Sequence, residues 1–246
     1  MKLKTLVISW LSECTPPPDP ILYTYDKTGH GFYNNATGRL LCPVNHDWNN
    51  SDVQQYIWDY HPDYRVTAYS WPTLLYDGHY NARNPRDGLF KGKLLLKTFK
   101  AIFTSPTSTE LDDPEQTSSN EVSAHGHSKC RRIWTSGEWH THCDVAGLLN
   151  MKSTQPRAIA YATVQLCFAL SHASLWRIMD DDFNSKVFYN HIVDFFELPP
   201  TQDAANEVDD ILLWWNYKVF GRKYVSVYHP QRVEQLSVAR TWAGQA

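Results

Sequence analysis

Between Thr154 and Gly221 the chain reads as one helix after another, each with its own start and stop signals. Thr154 offers an N-cap, and Pro156 falls in the first turn, where a residue without an N–H donor removes no helical hydrogen bond. Ile159, Val164, Leu166, Cys167 and Leu170 follow with helical spacing, and the pattern extends toward Met179. Asp182 or Asn184 can cap a second helix that buries Val187, Phe188, Ile192, Phe195 and Phe196, ended by Leu198-Pro199-Pro200. Asp203 can cap a third, with Val208, Ile211, Leu212, Trp215 and Val219 apolar and Gly221 as its C-cap. Three successive helices with short connections predict antiparallel helical packing.

Upstream, Leu89, Leu94, Leu95, Phe99, Ile102 and Phe103 mark a fourth helix over about 89–103, with its lysines mostly off the apolar face. Asp52 begins another, carrying Val53, Tyr56, Ile57 and Tyr60 on one side until Pro62. Residues Lys4 to Trp10 fit an edge strand or a short helix, and PPPDP at 16–20 stops either one. The runs ILYTY and GFYNNATGRLL, between Ile21 and Leu41, flank polar turns and leave room for a hairpin. The ring-rich segment Trp71–Tyr80 reads as coil packed on the core, and residues 104–129 as a polar surface loop.

The expected fold class is therefore mainly α: an irregular antiparallel helical domain with a coil-rich N-terminal region, with room for a small β-hairpin. Its expected divisions are an N-terminal extension or small hairpin region at 1–50, a helical domain at 51–221 interrupted by a polar loop at about 104–150, and a C-terminal tail at 222–246.

Charge is segregated rather than large. The net of −3 provides no global field to attract nucleic acid or an acidic membrane. Locally, however, Arg86, Lys91, Lys93, Lys97 and Lys100 oppose only Asp87, whereas residues 180–210 hold nine carboxylates against Lys186. A solvated face is the plain reading of each. The five cysteines are an odd count that argues against a fully paired secreted domain. The apolar run Leu6–Leu11 is short for a secretory leader and is closed by Glu13. No apolar run is long enough for a transmembrane segment. The expectation is an intracellular protein, cytoplasmic or nuclear.

Three groups of residues carry possible chemistry. His125, His127, Cys130, His140, His142 and Cys143 concentrate imidazole and thiol, both zinc ligands. Their spacing leaves the choice of four ligands ambiguous, and a polar loop that holds histidines explains them equally. No cofactor is predicted beyond that zinc possibility. Asp180–Asp182 can bind Mg²⁺ or Ca²⁺, but lack the spaced oxygens of a calcium loop and suit a helix start. Tyr189, His191 and Asp194 are the catalytic candidates: a carboxylate three residues on can orient a histidine base. Cys167 or Ser171 could approach from the preceding helix, although Cys167 lies in an apolar run that suits an inert core thiol. Of Trp214 and Trp215, one packs in the core and the other can pack, anchor a partner or stack a base. The sequence holds no Walker loop, dinucleotide fingerprint, HExxH or GxSxG.

The pieces SWPTLLYDGHY, GLFKGKLLLKTFKAIFTSPTS, IAYATVQLCFALS, FYNHIVDFFE and WWNYKVFG occur in an order that resembles the DUF6698 family, uncharacterised proteins of mushroom-forming (basidiomycete) fungi. The likeness spans roughly residues 69–221. It implies a mainly helical domain of unknown activity and supplies no catalytic residues. The His/Cys stretch matches no part of that pattern. The leading functional expectation is a non-enzymatic interaction or accessory protein that binds another macromolecule, another protein ahead of a nucleic acid. The alternatives are a small-molecule enzyme in a fungal biosynthetic setting built on the His191/Asp194 pair, and a nucleic-acid-binding protein of mobile-element ancestry built on Lys91, Lys93, Lys97 and Lys100.

Overall fold

The computed structural model describes residues 3–14, 17–78, 80–104, 109 and 144–221. Among them are eight α-helices: α1 (Leu3–Ser12), α2 (Asn35–Leu41), α3 (Ser51–Trp58), α4 (Lys93–Phe103), α5 (Val145–Leu148), α6 (Pro156–Leu170), α7 (Ser185–Glu197) and α8 (Gln202–Phe220). A two-stranded antiparallel pair, β1 (Met179–Asp180) and β2 (Phe183–Asn184), joins α6 to α7, with Met179 opposite Asn184 and Asp180 opposite Phe183. The fold is mainly α with one small hairpin.

Helix α6 is the hub. Its run Ala158-Ile159-Ala160, then Ala162-Thr163-Val164, Leu166-Cys167 and Ala169-Leu170 is buried on almost every side. The small alanines let neighbouring backbones approach, and a helix apolar all round must be covered all round. Helices α7, α4, α1 and α2 pack against it, and α8 packs on α4. Trp215 is fully buried from α8 and donates its indole N–H to the Phe90 carbonyl at 3.0 Å, pinning α8 to the segment before α4. Trp214 is half-buried beside it, edge-on at 5.7 Å. Asn216 accepts from Thr154 N–H at 2.7 Å and donates to the Leu212 carbonyl at 2.9 Å, so this buried amide is satisfied on both ends.

The N-terminal region holds helices where the sequence left room for a hairpin. Asn34 accepts from the Ala36 N–H at 2.9 Å and starts α2. The Asx cap satisfies the helix start locally and favours helix over a strand in this run. Residues 3–12 are helical, and Val7, Ile8 and Leu11 enter the main core. A second, smaller cluster joins Cys42, Trp48, Val53 and Ile57. Gly38 makes that packing feasible: a Cβ there would lie 2.3 Å from the Trp48 ring.

Three helix bounds also differ from the sequence reading. Helix α4 begins at Lys93 rather than near Leu89, because Gly88 and Phe90 both take left-handed backbone (φ 73° and 57°). Helix α6 stops at Leu170, where Ser171 is extended, well short of Met179. Helix α8 is capped by Thr201, whose side chain accepts from Ala204 N–H, and Asp203 sits inside its first turn.

Candidate functional site

A cavity of about 150 Å³ opens where the turn after α6, the β1–β2 hairpin and the N-terminal region meet. Its inner wall includes Leu41, Ile57, Val66, Pro72, Val164 and Cys167. Around its mouth stand Tyr33, Trp58, Tyr60, Arg65, His172, Arg177 and Asp180–Asp182. Trp58, Tyr60 and Tyr33 keep 43, 58 and 60% of their surface exposed. Rings held at a surface and left open are the side chains best suited to anchoring a partner.

Two polar struts cross the mouth. Tyr60 donates its phenol to Asp181 at 3.1 Å, and Arg65 grips Asp182 through two bonds of 2.7 and 2.5 Å. Partial burial and the Asp181 carboxylate raise the Tyr60 phenol above its usual range. The paired carboxylate raises Arg65 further. Tyr60 and Asp181 both hold left-handed backbone, at φ 54° and 50°. Such non-glycine residues are uncommon and cluster at functional sites. The Asp180–Asp182 run therefore forms a hairpin turn bonded across the cleft, where a helix start had been expected; Asn184 does the capping of α7, accepting from Lys186 and Val187 N–H at 3.0 Å each.

Lys27 fixes the turn after α6. Its ammonium is buried, donates to the Phe168 and Ala173 carbonyls at 2.6 Å each, and lies 4.0 Å over the Phe168 ring. A cation there meets the negative end of the α6 dipole and satisfies carbonyls the helix leaves open. Burial, with a smaller push from Lys4, lowers its pKa to about 8. The Asp180 carboxylate acts the other way.

The sequence-derived catalytic residues lie on α7. Tyr189 and His191 point about 160° apart around that helix. Tyr189 borders a shallow pocket with Tyr161, Trp176 and Ile178, whereas the His191 ring packs on Tyr69 at 4.7 Å. Asp194 is exposed, and no hydrogen bond joins it to His191. Cys167 is buried in α6, and desolvation pushes its thiol up to about 12, so it stays protonated. The six zinc candidates, His125, His127, Cys130, His140, His142 and Cys143, lie outside the described residues. Among the described residues no three His, Cys, Asp or Glu side chains gather to hold a metal. Lys93, Lys97 and Lys100 fall within about 60° of one another on the outer face of α4.

The sequence reading missed Tyr60, Arg65 and Lys27 as site residues. Their partners lie 117 to 146 residues away, so no local spacing announces them.

The chain matches the family of unknown function DUF6698 over residues 1–220. It belongs to that family. The match takes in α1 to α3, which the motif resemblance left out, and so includes both walls of the cleft. No curated protein and no solved structure matches the chain. No helix among the described residues is long and apolar enough to cross a membrane.

Proposed function

We propose that this DUF6698 chain is a non-enzymatic interaction module that seats a segment of another protein in the cleft at the β1–β2 hairpin. The observation that carries the reading is the cavity itself: an apolar interior opening among Tyr33, Trp58 and Tyr60, each substantially exposed. A mostly apolar recess with a few convergent polar groups is the default binding site of a fold. The motif order favours a basidiomycete source, and the odd cysteine count favours an intracellular setting.

Panning a random peptide library displayed on phage tests this reading. The wild-type chain should enrich a consensus that Ser70→Phe, which adds a ring to the cavity wall, and Trp58→Ala both lose while keeping the wild-type circular dichroism spectrum. A wild-type chain that enriches no consensus refutes the module.

A second reading, nucleic-acid binding, draws on the Lys93/Lys97/Lys100 stripe. It requires salt-dependent retention of duplex DNA or RNA that falls when Lys93 and Lys97 become Gln.

A further inference from the structure

We infer that the occupant of the cleft is a basic segment with a single ring-sized apolar anchor: the anchor enters the cavity, and the neighbouring cation lies between the aromatic faces of the mouth and the carboxylates of the β1–β2 turn. This rests on the interaction-module reading and assigns its partner's chemistry.

Size comes from the cavity. About 150 Å³ is the volume that takes one benzene-sized group, whereas drug-sized ligands occupy pockets from about 300 Å³ upward. One side chain, such as Phe or Leu, fills it. The inner wall of Leu41, Ile57, Val66, Pro72 and Val164 presents no charge, so a polar anchor would surrender its water bonds for nothing.

Charge comes from the frame. The charged side chains lining the cavity are Asp180, Asp181 and Asp182 against Arg65 and Arg177. Lys27 is drawn to Asp180 and Arg65 to Asp182, which leaves Asp181 as the carboxylate without a cation among its contacts with the described residues. Arg65 is already committed to Asp182 in both its bonds. Asp181 accepts from a neutral phenol, which leaves its charge uncompensated. An ammonium or guanidinium arriving here gains the Asp181 carboxylate beside the exposed rings of Trp58 and Tyr60, and aromatic rings attract cations in their own right. An acidic segment meets the same carboxylates as repulsion.

The test uses three acetylated, amidated peptides: Lys-Lys-Phe-Lys, Lys-Lys-Ala-Lys and Glu-Glu-Phe-Glu, titrated into ¹⁵N-labelled full-length chain at low salt. Lys-Lys-Phe-Lys should give saturable shifts at the Tyr60 and Asp181 amides, and the other two should bind at least ten-fold more weakly. The double variant Asp180→Asn/Asp181→Asn should weaken Lys-Lys-Phe-Lys at least five-fold; asparagine tolerates the left-handed backbone at 181, and an unchanged thermal melt shows the fold kept. Equal affinity for Glu-Glu-Phe-Glu, or no saturable shift with any of the three, overturns the inference. A concentration-dependent dimer in sedimentation velocity, broken by Trp58→Ala, assigns the cleft to a second copy and also overturns it. The module reading fails separately, on the panning: a wild-type consensus that is acidic or uncharged sinks only the partner chemistry.

Discussion

One added methyl group distinguishes two glycines that look alike in sequence. A Cβ at Gly92 would stand 2.0 Å from the Leu74 carbonyl oxygen, while one at Gly29 would meet nothing within 4 Å. Backbone cannot swing aside as a side-chain tip can, so Gly92→Ala should cost about 3 kcal/mol in urea unfolding and Gly29→Ala less than about 0.5 kcal/mol. Equal losses would mean that the close approach of the α4 start to residues 74–75 is wrong. The same dependence on distant neighbours governs Cys167. Burial raises its pKa from 9.0 to about 12, so above pH 9 the unfolded thiol releases a proton that the folded one retains. Stability from this group is intact below pH 9 and falls, by at most about 1.4 kcal/mol per pH unit, until about pH 12. Cys42 acts in the same direction. Lys27, lowered from 10.5 to about 8, acts in the opposite one between those values. Comparing wild type with Cys167→Ala cancels both, and the variant should lose stability less steeply between pH 9 and 12; parallel profiles would refute the shift. Sequence alone identified Cys167 as a core thiol because its neighbours are apolar, but nothing local distinguishes Gly92 from Gly29.

At the scale of elements, sequence reads cores better than ends. The apolar faces of α4, α6, α7 and α8 follow from helical spacing, because burial repeats with the helix period. Their ends depend on which of several capping residues the chain direction favours. Thr201 and Asp203 are both good caps, two residues apart. Thr201 has extended backbone and accepts from Ala204 N–H at 3.2 Å, while Asp203 lies within the helix. Thr201→Ala should therefore cost about 1 kcal/mol, and Asp203→Ala only a few tenths through the helix dipole. Thermal melts of the two variants decide the matter, and the reverse order would move the helix start. Asn216 makes the same point for side-chain bonds. Asn216→Leu keeps the branched shape but removes the bonds to the Thr154 N–H and the Leu212 carbonyl, for an expected loss of about 2 kcal/mol. The start of α4 was illegible for a different reason: left-handed backbone at Phe90 is imposed by packing among Trp71, Phe195 and Phe196, and carries no signature in a phenylalanine codon.

At the scale of the molecule, the candidate cleft exists only because sequence-distant parts meet. Arg65 and Tyr60 cross to the hairpin, Lys27 closes the end of α6, and α1 lays Val7, Ile8 and Leu11 into the core that α4 and α6 share. Each of those three α1 side chains is worth about 1.5–3 kcal/mol when fully buried, a total comparable with the 5–15 kcal/mol net stability of a typical domain. The first fifty residues thus work as a wall of the core as well as a wall of the site. A chain beginning at residue 51 should lose its cooperative thermal transition, expose apolar surface to a dye such as 1-anilinonaphthalene-8-sulfonate, and give collapsed amide dispersion in NMR. Adding back residues 1–50 as a separate polypeptide should restore part of the dispersion, because the lost contacts are apolar packing and backbone bonds rather than covalent constraints. A truncated chain that melts cooperatively near the wild-type temperature would show instead that residues 51–221 carry their own core, and the cleft would then be an interface between two independently stable parts.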